Sequence, residues 1–442
     1  MTGAPAAGSP QYPRRSIFAI VVASMILAAC AASGAATAAA PAAVLPAPKQ
    51  SLVLISLDGF RWDYFNRPGA ANLRALASHG VRAERMVPSF PSVTFPNHYT
   101  IVTGLLPEHH GIISNNMVDP VLGKFGIGDN PAVRDARWWG GEPIWNTAER
   151  QHERAAPMSW PGSEAPIGGM RPSWWKKFNA SQPRAAKVRE VLALLALPPD
   201  SAPRLITQYF SEVDHAGHFS GPDSPQMDSA IVQVDSAVGA IVDGIARLHL
   251  DGRVNVIVVA DHGMAAISPS RVVFLDDYIS LDSVDVIDWG AYALIAPKPG
   301  RERYAYDHLH GANPHLAVYR KAEIPARFHY DSNPRIPAIL ALADEGWTVS
   351  SHARFDRSPS RAGGGEHGYD NTLPDMGALF IASGPAFKAG LVVKPFQNIH
   401  VYDLMAHILG LRPAPNDGSL DSTRTMLRVP PAAIKTRAAS SP

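Results

Sequence analysis

The chain has 442 residues, 46% of them hydrophobic, which is enough for a large core and unlike a disordered chain. Its formal net charge of +1 lacks the basic excess of proteins that grip nucleic acids, so no nucleic-acid polymer is expected as a partner. The single cysteine, Cys30, excludes an intramolecular disulfide and a cysteine-rich metal site, leaving any metal to His, Asp or Glu.

At the N-terminus, Arg14 and Arg15 precede the apolar run SIFAIVVASMILAA. Charge, a short apolar stretch and small residues in that order make residues 1–30 an export signal, too short to span a membrane comfortably. The ending LAAC is similar to a bacterial lipoprotein signal, in which Cys30 would carry a lipid anchor. Ordinary cleavage near Ala28–Ala40 would discard that cysteine instead. The arginine pair also fits twin-arginine export. Either way the chain is expected outside the cytoplasm, free in the periplasm or anchored facing it. Residues 31–49 are Ala/Pro-rich and read as a tether.

Folding begins at Ser51. SLVLISL is a continuous apolar run, as in a strand buried on both faces, and similar runs recur at LITQYFS (205–211), NVIVVA (255–260) and GALFIAS (377–383). Between them lie the helical patterns AANLRALASHG, KVREVLALLAL and SAIVQVDSAVGAIVDGIARL. Strands alternating with helices predict an α/β fold with a mostly parallel central sheet flanked by helices. The stretch from about 159 to 199, with its clustered Trp, Phe, Gly and Pro, reads as an insertion capping the site. The 300–350 region, rich in Pro, His and Tyr, reads as a second excursion. The tail over 429–442 lacks periodicity and is expected to be disordered.

The polar residues fall at the ends of the strands. Asp58 follows the first, Asp214 the second, and Asp261 with His262 the third. Ligands of open α/β sheets bind at the carboxyl ends of strands, so three strands deliver these groups to one edge. His218, in EVDHAGHFSGP, and His367, in GGGEHGYDN, complete a set of three carboxylates and three imidazoles. Such a mixed nitrogen and oxygen set suits Zn²⁺ and can hold two ions. Singly, each has a plain alternative as a turn or loop residue.

PSFPSVTFPNHYTIVTG carries a candidate nucleophile. Pro96 suits a first helical turn and Gly104 a helix stop, which puts Thr94 at a helix N-terminus. That position favours an alkoxide or a phosphate, and metal coordination is one way to activate a threonine hydroxyl. For an isolated threonine, a simple N-cap would be the plainer reading.

Taken together, LISLDGFR, PSVTFPNHYTIVTGLLPEHHGIISNNM, DHAGHFSGP, DHGM and GGGEHGYDNTLPDMGALFIASGP resemble the nucleotide pyrophosphatase/phosphodiesterase family of the alkaline phosphatase superfamily. The resemblance runs from about residue 51 to 420 and is closest to the bacterial single-domain members. It implies a catalytic domain over residues 50–428 with an alkaline-phosphatase-like fold. It implies two Zn²⁺ per chain, one held by Asp58, Thr94, Asp261 and His262, the other by Asp214, His218 and His367. Asn115 matches the asparagine that donates to a phosphate oxygen. Phe95 and Phe178 match the aromatic pair that sandwiches a nucleobase, and where the family often has tyrosine at the second position Phe178 keeps the ring without the hydroxyl.

The implied reaction hydrolyses nucleoside triphosphates or dinucleotides to nucleoside 5′-monophosphates. Thr94 forms a phosphoryl-threonine ester, which water then opens. A small nucleotide is the expected substrate, and no protein partner is foreseen. Rival readings are a phosphomonoesterase or a choline-lipid phosphodiesterase of the same superfamily, and a non-catalytic binding protein that keeps the fold. The segment around Thr94 lacks the arginine that monoesters usually require, and it lacks the Cys/Ser-x-Pro-x-Arg setting of sulfatases.

Overall fold

The structure, a computed structural model, describes residues 49–128, 131–357 and 363–428. The export signal with Cys30, the tether up to residue 48 and the tail from 429 lie outside the described residues. The strands that build the frame are β1 (Ser51–Leu57), β2 (Val81–Ala83), β3 (Ala155–Met158), β4 (Leu205–Phe210), β5 (Val254–Val259), β6 (Val284–Asp288), β7 (Tyr292–Pro297), β8 (Leu316–Arg320), β9 (Ile339–Ala343), β10 (Phe380–Ser383) and β11 (Leu391–Val393). A seven-stranded sheet has the order β11-β2-β10-β5-β1-β4-β3. β1 pairs in parallel with both β4 and β5, β3 joins β4 in parallel, and β11 joins β2 in parallel. Only β10 runs against its neighbours β5 and β2. The mostly parallel sheet expected from the sequence is thus present. The run at 377–383 contributes the one reversed strand, because an apolar run carries no record of its direction.

Among the helices are α1 (Ala71–Ser78), α2 (Thr94–Thr103), α3 (Arg184–Leu195), α4 (Glu212–Ser220), α5 (Pro225–Arg247) and α6 (Val401–Leu409). β4 and β5 are buried throughout, as is β1 beyond Ser51, so helices cover both faces of the sheet. α5 packs against α1, α3 and α4, while α6 packs against α2 and β1. The apolar stripe Ile231, Val234, Val238, Ile241 and Ile245 explains why α5 docks. Length and composition would let α5 cross a membrane, yet 56% of its apolar span is buried inside the protein, as in a core helix. α1 has no side-chain N-cap of its own. Asp235 of α5 takes that role, accepting from the backbone N–H groups of Asn72 (3.0 Å) and Leu73 (2.8 Å).

Two segments differ from the sequence reading. Within the insertion read over 159–199, residues 159–183 hold only one 3-10 turn and an isolated bridge at Lys176, and 196–199 lie in turns. Arg184–Leu195 is α3, the crossover helix between β3 and β4, held by Val188, Val191, Leu194 and Leu195. The 300–350 region, read as a second excursion, contains the helix Glu302–Leu309 and the strands β8 and β9. It belongs to a four-stranded antiparallel sheet, β6-β7-β9-β8, whose short strands are hidden among turn-forming Pro, Gly and Asn.

Candidate active site

Asp58 begins the turn that leaves β1, Asp214 lies in the first turn of α4 just after β4, and Asp261 with His262 follows β5. Register makes these neighbours: Leu57 pairs with Phe210, and Ser56 pairs with both Tyr209 and Val259. Gly59 then lets the chain turn. Its φ is +66°, and a Cβ there would stand 2.9 Å from the Asp214 Cα, so the Asp-Gly pair in LISLDGFR permits the first two carboxylates to approach. The backbone N–H of Asp214 donates to the Asp58 carbonyl at 3.0 Å.

Thr94 is the first residue of α2, and the cap position belongs to Val93, which makes no side-chain cap bond. The hydroxyl is therefore not consumed as an N-cap, and α2 ends at the left-handed Gly104. Thr94 Oγ1 lies 3.3 Å from His262 Nε2. The same nitrogen stands 3.0 Å from Asp261 Oδ2 and 3.5 Å from Asp58 Oδ1. A second group adjoins it: His218 Nε2 is 3.3 Å from Asp214 Oδ1 and 3.0 Å from His367 Nε2, which is 3.5 Å from Asp214 Oδ1. The rings of His262 and His367 stack at 3.6 Å, joining the two groups. Donor atoms of Asp214, His262 and His367 all lie within 4.8 Å of one another.

Hydrogen bonding shows what these groups lack. His262 Nδ1 faces the Gly263 carbonyl at 2.9 Å, His218 Nδ1 the Gly365 carbonyl at 3.0 Å, and His367 Nδ1 the Ser92 carbonyl at 3.0 Å. Each ring so held donates from Nδ1 and turns a lone pair at Nε2 towards the cluster. His218 Nε2 and His367 Nε2, 3.0 Å apart, would repel as two bare lone pairs, so either a proton or a metal ion must lie between them. Asp58 Oδ1, Asp214 Oδ1 and Asp261 Oδ2 are buried oxygens with no hydrogen-bond partner. Orphaned buried carboxylate oxygens beside imidazole nitrogens turned into the same cluster are the donor set of a divalent metal site, and these residues fit that role.

The electrostatics agree. Burial, with Asp261 and Asp214 close by, raises Asp58 well above the usual carboxylate range. Burial also holds His367 well below the usual imidazole range, helped by His262 and His218. Burial opposes a charge on His218, but Asp214 beside it pushes the imidazole up to about 10. Against the effect of burial, neighbouring imidazoles hold Asp214 and Asp261 low and Asp261 holds His262 high, so the carboxylates draw positive charge to this cluster, from protons on the histidines where no metal is bound.

Thr94, Asn115, Asp214, His218 and His367 line one cavity of about 340 Å³, together with Glu366. The Asn115 amide oxygen accepts from the Phe95 N–H at 2.9 Å, which leaves its NH₂ to donate elsewhere. Phe95 is half-buried against Phe125 and Trp139. Phe178 is 37% exposed, packs its edge on Tyr209 at 5.5 Å, and lines a larger groove that also reaches Asp214. The metal-competent residues and Thr94 are thus brought together, whereas Phe95 and Phe178 make no ring contact with each other among the described residues.

Two site residues escaped the sequence reading. Tyr209 donates its hydroxyl to Asp58 Oδ2. His98 contacts the Ser56 hydroxyl through Nε2 (2.7 Å) and faces the Thr94 carbonyl (2.9 Å) and Asp261 Oδ2 (3.2 Å) through Nδ1. Tyr209 reads as one more apolar position in a buried strand. His98 carried a usable signal, since it lies four residues after Thr94 and so on the same helix face.

An α/β sheet that gathers three carboxylates, three imidazoles and a hydroxyl at its strand ends defines a metal-dependent hydrolase with an alkaline-phosphatase-like fold. Residues 52–370 match the family model described as type I phosphodiesterase / nucleotide pyrophosphatase, and the chain belongs to that family of phosphodiester-bond hydrolases. A pyrophosphatase/phosphodiesterase of Schizosaccharomyces pombe is 40% identical over 394 residues, 86% of this chain and 81% of the relative. A venom phosphodiesterase of Naja atra is 37% identical over 86% of this chain, which spans only 46% of that longer enzyme. Among solved structures, murine ectonucleotide pyrophosphatase/phosphodiesterase 5, an inactive threonine-to-alanine variant in complex with AMP, superposes with a TM-score of 0.82. It is 35% identical, and the match covers 86% of this chain and all of that one.

Proposed function

We propose that the chain cleaves nucleotide phosphodiester and pyrophosphate bonds, releasing nucleoside 5′-monophosphates through a covalent phosphoryl-threonine at Thr94. The observation that carries this reading is the Thr94 hydroxyl, free of any capping role, beside a buried cluster of unsatisfied carboxylate oxygens and converging imidazoles. Asp58, Thr94, Asp261 and His262 would hold one Zn²⁺, and Asp214, His218 and His367 the other. Bound, the two ions would lower the pKa of the threonine hydroxyl and offset negative charge on the leaving oxygen.

Thr94 gives its proton to solvent and its Oγ1 bonds to phosphorus as the bond to the leaving group breaks, that group departing into solvent, where its oxygen can take up a proton. The α2 N-terminus and the Asn115 NH₂, turned outward by the Phe95 N–H, stabilise negative charge on the phosphoryl oxygens. Water then bonds to phosphorus from the opposite side, the Thr94 ester breaks, and Oγ1 regains a proton. No histidine is needed as general base. Phe95 and Phe178 would flank the base, and the AMP held by the murine neighbour supports a nucleotide ligand. The chain is also read as exported through residues 1–30, either freed by ordinary cleavage or anchored by a lipid on Cys30. A venom enzyme among its relatives is in keeping with work outside the cytoplasm.

Thr94→Ala tests the mechanism. The variant is expected to keep zinc and AMP binding while losing at least about a thousandfold in kcat. Near-normal turnover in the variant would rule out the covalent route. Rates on a nucleotide diester against its monoester, with metal analysis of the same sample, separate this reading from a phosphomonoesterase.

A further inference from the structure

The two carboxylates beside His262, Asp58 and Asp261, are each held by one oxygen. Asp261 Oδ1 accepts the Gly59 N–H at 3.1 Å, which leaves Oδ2 without a hydrogen-bond partner. Asp58 Oδ2 accepts the Tyr209 hydroxyl, which leaves Oδ1 without one. Each orphaned oxygen faces His262 Nε2, at 3.0 Å for Asp261 and 3.5 Å for Asp58. One oxygen of Asp58 is therefore committed to Tyr209 and only one is offered to the cluster, while Asp261 offers Oδ2, which His98 Nδ1 also approaches at 3.2 Å.

Tyr209 is well fixed for this task. It lies on β4 beside Ser56 of β1 in the sheet register. Its ring meets His98 edge to face at 5.1 Å, and His98 meets Trp160 at 5.1 Å. Trp160 in turn donates its indole N–H to the His98 carbonyl at 3.1 Å. The hydroxyl therefore cannot swing away from Asp58 without disturbing a buried aromatic stack. Resting on the two-metal reading above, we propose that Tyr209 is a positioning residue that limits Asp58 to one free oxygen. By doing so it sets the low coordination number, and hence the preference for zinc, of the centre beside Thr94. The chemistry is general: Zn²⁺ favours four ligands in a tetrahedron, whereas Mn²⁺ and Ca²⁺ favour six or more oxygens. A carboxylate with both oxygens free can chelate and so raise the ligand count.

Metal binding to apoprotein is the test. Wild type and Tyr209→Phe, which keeps the ring and loses only the hydroxyl, are titrated separately with Zn²⁺ and Mn²⁺ by calorimetry. In the variant one of the two zinc equivalents should weaken about 10–100-fold, the usual effect of removing a ligand's supporting hydrogen bond. Manganese should weaken less, so the zinc-to-manganese affinity ratio falls. The kcat on a nucleotide diester should drop while KM holds, because the ring stays under Phe178. Two zinc equivalents with wild-type affinity and an unchanged ratio would overturn the role of Tyr209 alone. Fewer than two equivalents in wild type would overturn the two-metal reading as well. X-ray absorption on the wild-type zinc enzyme makes the proposal testable even if the variant does not fold. Four ligands per zinc with no chelating carboxylate agree with it, and a chelating carboxylate contradicts it.

Discussion

Phe178 keeps 37% of its surface in water while its edge rests on Tyr209, and its backbone N–H donates to Glu164 Oε1 at 3.2 Å. A phenylalanine with a free face on a rigid support offers a planar base a stacking surface, and each base stacked on an aromatic ring contributes about 1–3 kcal/mol. Phe178→Ala should therefore raise KM roughly 5–150-fold for a nucleotide substrate. A diester without a base should change little. Steady-state kinetics on both decides the matter, and equal losses would argue against stacking. At this scale the groups with metal chemistry were readable because they stand at strand ends, where polar residues interrupt apolar runs. Tyr209 was not, because a residue facing the interior of a buried strand looks the same whether it fills space or holds a ligand. Thr94 lay between: its position at a helix start was readable, but whether its hydroxyl caps the helix depended on Val93 occupying the cap.

The glycines before His367 act between elements. A Cβ at Gly364 would stand 1.9 Å from the His218 carbonyl oxygen, and one at Gly365 would stand 2.8 Å from the Gly217 carbonyl. The 363–367 segment and α4 thus pack backbone to backbone, and the Gly365 carbonyl fixes the His218 ring at 3.0 Å. Gly364→Ala must push α4 away, separating His218 from His367. A loss of about 1–3 kcal/mol in stability is expected from such overpacking, together with weaker zinc binding. Denaturant unfolding and a zinc titration of the variant measure the two effects, and an unchanged zinc affinity would show that α4 tolerates the shift. The three consecutive glycines were visible in the sequence, but their target was not, since His218 lies some 146 residues away on another element. The same limit explains the fold-level misses. The long apolar runs identified β1, β4 and β5, whereas the antiparallel sheet β6-β7-β9-β8 is built from short strands whose partners only the folded chain reveals. The pattern KVREVLALLAL was legible as a helix, and its neighbours in the Trp-rich loop drew it into the excursion. Among the described residues it is an ordinary crossover helix.

For the molecule as a whole, the proposed ligands run from Asp58 to His367 and meet at the ends of separate strands and loops. The core of the seven-stranded sheet is closed by apolar burial that does not involve these ligands. Metal binding would therefore act as a tie across a fold that already stands, and removing it should loosen the site edge without unfolding the sheet. Binding to the native state alone contributes about 4 kcal/mol when the free metal exceeds its dissociation constant a thousandfold. Chelation should accordingly lower Tm by on the order of 5–10 °C and abolish turnover, while far-UV circular dichroism stays unchanged. Added zinc should restore both Tm and activity. Acid should act in the same direction. Each imidazole must be neutral and each carboxylate ionised to hold a metal, so protons compete with the ions, at His218 already below about pH 10, and retention weakens further as pH falls from 7 to 5. Melting curves at both pH values, with and without chelator, test the argument. The chelator's effect should be smaller at pH 5, where part of the metal has already gone. A Tm indifferent to chelator and zinc at pH 7 would mean that these six side chains hold no metal of consequence to the fold.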